Sequence, residues 1–259
     1  MPYSYSNDDE HEVLDEYNQH PICPRHHTGG KQDGGACSLF PTQNYTDNKA
    51  FCGTDDLEIA GFYGFRHVRC PLASTRPCAH CGRRGLHVDS LVVAVDGACP
   101  GNGTQDATKS AYGVFFGSNS MDNLACRVPD TSGYSHTSQR AELSAAIAAI
   151  KASLRFIFNG GQWDCTSCPT PCKVVHLVIK SDSAYLVNGI TTHIEKWRQN
   201  KWRTTKGADV KNQDLWRRLD DLIISLHDMT GAVVDFWHVP RHENEDADAL
   251  ANLGLREPM

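Results

Sequence analysis

The run Ser90–Gly103, SLVVAVDGACPGNG, decides how the rest of the chain is read. Leu91 to Val95 is short, apolar and rich in β-branched residues, and turn residues bound it, so it predicts a buried strand. Asp96 follows where that strand leaves the core, a costly place for an ionised carboxylate without a cation or hydrogen-bond donors. Three later acids stand beside apolar runs in the same way: Glu142 in SQRAEL, Asp182 in LVIKSDSAYL and Asp248 in NEDADALAN. Brought together, the four make a cage of hard oxygen donors for Mg²⁺ or Mn²⁺. Each acid alone reads more simply as a surface group, a helix cap or an ion-pair partner. Their convergence is what carries the metal reading.

Downstream of the Gly-rich turn, strands are predicted near 111–117 and 123–129. Residues 139–158 predict a helix, with Leu143, Ala146, Ile147, Ile150 and Leu154 at 3–4 spacing and Glu142 in its first turn. An insertion over 160–172 interrupts before HLVIKSD supplies a fourth buried strand. Short helices follow from Ser183 and from His193. Residues 212–228 read as a helix, 232–239 as a strand and 242–254 as a last helix. That order predicts an α/β domain with a mixed sheet.

At 259 residues the chain can bury one good core and a smaller module. No apolar run approaches the roughly 20 residues needed to cross a bilayer. The start, MPYSYSNDDEHEV, has neither a basic segment nor an apolar one, so an intracellular protein is expected, nuclear or cytoplasmic. Residues 1–50 are polar, acidic and without periodicity, and read as a disordered or loosely packed tail. Residues 51–88 read as a small cysteine-containing lead-in, and 89–259 as the main domain. The net charge of −6 hides an asymmetry: residues 1–60 hold 11 acids and 3 Lys or Arg, while residues 191–218 hold 8 basic side chains and 3 acids. A locally basic segment suits a polyanionic ligand better than the total charge suggests.

The order and context of the four acids resemble the ribonuclease H type 1 family. VDGACPGNG, TSQRAEL, IKSDSAYLVNGI and NEDADALAN are similar to its four acidic motifs, in order, and KWRQNKWRTTKGADVKNQDLW resembles its basic handle. The resemblance covers about 90–256. It implies a ribonuclease H-like fold, a five-stranded mixed sheet flanked by helices. It also implies Mg²⁺-dependent endonuclease cleavage of the RNA strand in RNA–DNA hybrids through two metal ions. The products would carry 5′-phosphate and 3′-hydroxyl ends.

Residue by residue, the resemblance assigns Asp96, Glu142, Asp182 and Asp248 to the metals. His242 stands as the candidate for the family's mobile histidine, although several residues usually separate that histidine from the following Asn-Glu pair, and here His242-Glu243-Asn244-Glu245 runs on directly. A histidine at a helix start is the plainer alternative. Asn102, Gln139 and Arg140 fall at positions that, in the family, line the hybrid's minor groove, where a 2′-hydroxyl reports RNA, and Gly97, Gly101 and Gly103 let the backbone come close. Ser138 stands where the family commonly has Asn, and Ala184 where a longer amide is common. Thr137 and Asn212 fall at positions of a DNA phosphate pocket. Lys196, Trp197, Arg198, Lys201, Trp202, Arg203 and Lys206 make up the handle; phosphates bound there would release counterions and give a strong salt dependence. The tryptophans read equally as packing between the helix and its loop.

Eleven cysteines without a signal peptide fit thiols or metal ligands better than a disulfide framework. Cys165, Cys168, Cys172 and His176 have spacings a tetrahedral, structural Zn²⁺ accepts; Cys78 and Cys81 need two further ligands. His176 reads alternatively as part of the VVHLVI strand. Beside the nuclease reading stand a non-catalytic nucleic-acid-binding module on the same fold and an enzyme acting on other duplexes. The expected ligand is an RNA–DNA hybrid, with no membrane and a monomeric chain.

Overall fold

A computed structural model of the chain describes residues 58–60, 64–68, 89–131, 133–159 and 173–256. The expected tail over 1–50, the Cys78/Cys81 pair and Cys165, Cys168 and Cys172 lie outside the described residues. The elements are β1 (Glu58–Ala60), β2 (Arg66–Val68), β3 (Ser90–Ala98), β4 (Ala111–Phe115), β5 (Leu124–Arg127), α1 (Ser138–Asn159), β6 (His176–Ser181), α2 (Ala184–Asn188), α3 (Ile194–Gln199), α4 (Gln213–Thr230), β7 (Val233–His238) and α5 (Glu245–Gly254).

The predicted first strand is the centre of the sheet. β4 pairs antiparallel with β3 and β5 with β4, while β6 and then β7 run parallel to β3 on its other side. The order β5-β4-β3-β6-β7 is the five-stranded mixed sheet of a ribonuclease H-like fold, with helices on both faces. Alternation along β3 explains the two layers. Leu91, Val93 and Val95 are wholly buried against α1 and α4, including Leu143, Ile150, Trp216 and Leu219. Ala94 packs with Phe115 against Ala247 of α5, and Val92 lies with Val68, Val178 and Trp237. Each wholly buried Leu or Val contributes about 2 kcal/mol of transfer free energy.

Helix ends follow from local chemistry. Thr137 caps α1: its hydroxyl accepts the Arg140 N–H at 3.2 Å and its carbonyl the Ala141 N–H at 3.1 Å. Ser183 caps α2 by accepting the Leu186 N–H at 3.1 Å. Gly231, with φ 69°, ends α4 and donates to the His227 carbonyl at 2.7 Å. The helix expected over 242–254 is two pieces, a 3₁₀ turn at Arg241–Glu243 and then α5, because the Asn244 side chain turns inward to the sheet.

β1 and β2 are an addition that periodicity does not reveal. β2 pairs antiparallel with β3 at Arg66–Val92, and β1 with β2, so seven described strands form one sheet. The Val68 N–H donates to Ser90 Oγ at 2.8 Å, and the His67 Nδ1–H to the Ser90 carbonyl at 2.6 Å. Phe65 stands edge-on to Phe116 and Phe156, at 6.4 and 5.2 Å between ring centres. Glu58 takes the Lys180 ammonium at 2.7 Å, supplying a counter-charge to a lysine whose side chain is 9% exposed. The boundary expected between 88 and 89 therefore falls between neighbouring strands of one sheet. Among the described residues no helix is long and apolar enough to cross a membrane.

Candidate active site

Two glycines set how closely the acids approach. A Cβ on Gly97 would lie 2.4 Å from the Glu142 backbone nitrogen and 2.7 Å from the Ala141 carbonyl carbon, so only glycine lets the first turn of α1 cross the end of β3. Gly113 pairs with Asp96 across the β3–β4 ladder; a Cβ there would meet the Ala247 carbonyl oxygen at 2.3 Å and the Ala251 nitrogen at 2.5 Å. That gap lets α5, with Asp248, descend on the same strand end. Asp182 arrives by register: Ala94 pairs with Lys180 in the parallel β3–β6 ladder, and Asp96 and Asp182 each lie two residues further on. Glycine spacing and strand register thus bring the four predicted acids to one edge of the sheet.

Each of the other three acids rests on a polar neighbour. The Ser183 hydroxyl donates to Glu142 Oε2 at 2.5 Å, and Asn244 Nδ2 donates to Asp182 Oδ1 at 2.9 Å and to the Val95 carbonyl at 3.0 Å. Asp248 accepts from Arg241 at 2.6 Å and from Asn252 at 3.0 Å. Among the described residues no three His, Cys, Asp or Glu side chains form a ready ligand set around one point.

Asp96 is buried, and its carboxyl is pushed up from the usual 3.8 to about 7. Burial is the main cause and the charge of Asp182 the next; Asp248 and Glu142 add smaller amounts, and the Gly97 N–H opposes them. Burial also raises Glu142, which the Ser183 hydroxyl partly offsets. A buried carboxylate ringed by three others lacks positive charge, and oxygen donors of this kind fit Mg²⁺ or Mn²⁺.

The predicted groove residues separate into several kinds. Asn102 Oδ1 accepts the Ser138 N–H at 3.0 Å, tying the Gly-rich loop to the start of α1 beside Thr137 and Gln139; the Gln139 Oε1 is buried without a partner. Arg140, expected in the groove, is buried and forked onto Asp214 at 2.9 and 2.7 Å. Burial raises the Asp214 carboxyl, but the fork and charge of Arg140, with the backbone N–H groups of Leu215 and Asp214, together hold the group below its usual range. Asn212, left-handed at φ 57°, donates to the Tyr185 hydroxyl at 3.1 Å. In the basic segment Lys196, Lys201 and Lys206 are exposed, whereas Arg198 is forked onto Asp220. Trp197 packs 5.3 Å from the Trp216 ring, and Trp202 is buried under Arg217. Trp202 is packed away, Trp197 is half-buried, and the three lysines are open to solvent. His176 lies in β6 with Nε2 bonded to Asp235 at 2.9 Å.

A family model for RNase H matches residues 89–256. The chain belongs to the RNase H family. It is 30% identical over 200 residues to Ribonuclease H1 of Rattus norvegicus, covering 75% of this chain and 60% of the rat protein. It is 36% identical over 168 residues to Ribonuclease H of Halorhodospira halophila, covering 62% of this chain and 90% of that protein. The match spans 51% of the mouse and human Ribonuclease H1 chains, about half their length. The solved RNase H1 of Halobacterium salinarum NRC-1 is 26% identical, over 64% of this chain and 97% of its own, at a TM-score of 0.37. The fold rests on the sheet order and the family match rather than on that superposition.

Within this RNase H domain, two histidines stand near the acids in different ways. His242 lies in the 3₁₀ turn with its side chain 75% exposed and Nε2 4.0 Å from Glu243. His238 ends β7 opposite Ser181, exposed, and its Nε2–H reaches the Asp182 carbonyl oxygen at 3.3 Å. Sequence reading absorbed His238 into the AVVDFWHV strand; it stands six residues ahead of Asn244. Asn244 was also missed. It is 2% exposed and bridges β3 to Asp182, while its Oδ1 is buried without a partner.

Proposed function

We propose that the chain is an endonuclease that hydrolyses the RNA strand of RNA–DNA hybrids, leaving 5′-phosphate and 3′-hydroxyl ends. The carrying observation is the buried Asp96, ringed by Asp182, Asp248 and Glu142 at one sheet edge within the RNase H match. The names of the relatives, Ribonuclease H1 and Ribonuclease H, support the same reading.

Asp96, Glu142, Asp182 and Asp248 would hold two Mg²⁺ ions, or Mn²⁺ in their place. Bound there, such ions supply charge stabilisation at the phosphate and lower the pKa of water. The chain's own groups do the rest. Ser183 and Asn244 orient Glu142 and Asp182. His238, at the rim, donates its Nε2–H to the Asp182 main-chain carbonyl, and His242, exposed in the 3₁₀ turn, is the group that moves a proton. Gly97, Asn102, Ser138 and Gln139 face the minor groove, and Thr137 and Asn212 take a DNA phosphate. Lys196, Lys201 and Lys206 bind the DNA backbone, and Arg140 serves by holding α4 to α1.

The test is cleavage of an end-labelled RNA–DNA hybrid with Mg²⁺ by the native chain and by Asp96→Asn. Cutting of the RNA strand alone, lost in the variant, is expected. Tight, salt-sensitive binding without cutting by the native chain would replace this reading with that of a binding module.

A further inference from the structure

On the reading that this chain grips RNA–DNA hybrids, its approach to α1 has a fixing point that neither the acids nor the basic segment explains. Residues 130–137 lead from the β4–β5 pair to the first turn of α1, where Thr137, Ser138 and Gln139 stand. Within that approach His136 is bonded at both ring nitrogens. Nε2 meets Asp130 Oδ1 at 2.7 Å, and Nδ1 meets Ser110 Oγ at 2.8 Å. A carboxylate only accepts, so Nε2 carries a proton, and in the neutral ring Nδ1 accepts a hydrogen bond from the Ser110 hydroxyl.

The order Ser–His–Asp is that of a hydrolytic relay. Here it has another use, because Ser110 is wholly buried and its hydroxyl cannot meet a substrate. Ser110 is also anchored: its carbonyl accepts the Val128 N–H at 2.9 Å, continuing the β4–β5 ladder beyond Ala111. The imidazole therefore ties a loop to the rigid edge of the sheet. Its neighbours are fixed as well. Asn102 holds the Ser138 N–H, and the half-exposed Tyr134 ring lies 4.0 Å from the guanidinium of Arg140, itself forked onto Asp214. The His136 tie holds the segment directly ahead of Thr137.

We propose that His136 is a positioning residue. Through Ser110 and Asp130 it fixes the backbone of Thr137 and Ser138 at the lip of the nucleic-acid groove, and so sets affinity for the hybrid rather than the rate of cleavage.

The test uses the full chain. Hybrid cleavage gives KM and kcat separately, and fluorescence anisotropy gives hybrid affinity in an Asp96→Asn background that binds without cutting. His136→Ala is expected to raise KM and weaken binding about tenfold, the scale of losing hydrogen bonds to a phosphate, with kcat within about twofold. His136→Asn, which keeps a polar atom near the Nδ1 position, should recover part of the loss. Ser110→Ala removes one buried hydroxyl and should raise KM about threefold; it decides the matter if His136→Ala does not fold. A fall in kcat at unchanged KM would overturn the inference, since His136 would then serve the chemistry. Unchanged KM and affinity in folded variants of an active enzyme would overturn it alone. An inactive native chain would overturn the proposed function and this inference together.

Discussion

Replacing Asp96 by Asn should stabilise the metal-free protein while abolishing cleavage. The Asp96 carboxyl is buried, faces three other acids, and titrates near 7 rather than at 3.8. Because its folded pKa is raised, ionisation costs the folded state stability. That cost is absent below the unfolded pKa, grows as pH rises from 3.8, and is complete above about 7. At 1.36 kcal/mol for each pKa unit, the full cost is about 4 kcal/mol. An asparagine avoids it and still accepts the Gly97 N–H through its amide oxygen.

Thermal unfolding in a chelator reads the effect directly. At about pH 8 the variant should melt roughly 8 °C above the native chain, and near pH 4 the two should nearly coincide. Adding Mg²⁺ should raise the melting point of the native chain and close the gap, because binding there selects the ionised folded state. If the variant is no more stable than the native chain at pH 8 without metal, Asp96 is not strained by its neighbours, and the electrostatic account of the site is wrong.

Three further outcomes follow from the geometry. Removing residues 1–88 should cost about 3 kcal/mol relative to removing 1–57, as read by urea unfolding, because Lys180 loses the Glu58 carboxylate and Ser90 loses β2; equal midpoints would show that β1 and β2 are not part of the folding unit. Gly97→Ala should lower hybrid cleavage at least 100-fold and stability by about 2 kcal/mol, since its Cβ would strike the backbone of Glu142; normal activity would show that α1 can retreat without loss. His242→Ala should reduce kcat about 100-fold and His238→Ala less than tenfold, and the opposite ranking would move the proton-moving role to the end of β7.

The central elements were legible because their burial is written locally. β3 and β6 are continuous apolar runs, and α1 repeats its buried residues at helical spacing, so both type and place could be read. β1 and β2 could not, being three residues each and held by partners distant in sequence, such as Lys180, 122 residues beyond Glu58. The acids were legible as a set, yet their polar supports were not. Arg140 looks like a groove residue until Asp214, 74 positions away, is seen in its fork. His242 drew notice as the histidine next to Glu243-Asn244, whereas His238 was hidden as the last residue of a strand. The end of a strand at the sheet edge is where Asp96 and Asp182 also emerge.

The Asp96-Gly97 pair explains why one strand end can gather groups from both helical layers. Successive residues of a strand point to opposite faces. Asp96 shares a face with Ala94 and Gly113, the face covered by α5, whereas Gly97 continues the Val93–Val95 face covered by α1. The carboxylate therefore points toward the layer that brings Asp248, and the missing side chain opens the layer that brings Glu142. A slip of one residue would reverse both relations, turning the acid into the backbone of Glu142 and leaving Asp248 opposite a glycine. Register along β3 is thus as much a condition for the site as the acids themselves. The same register places Asp182 beside Asp96 from β6, and with it Asn244, whose amide holds Asp182 to Val95.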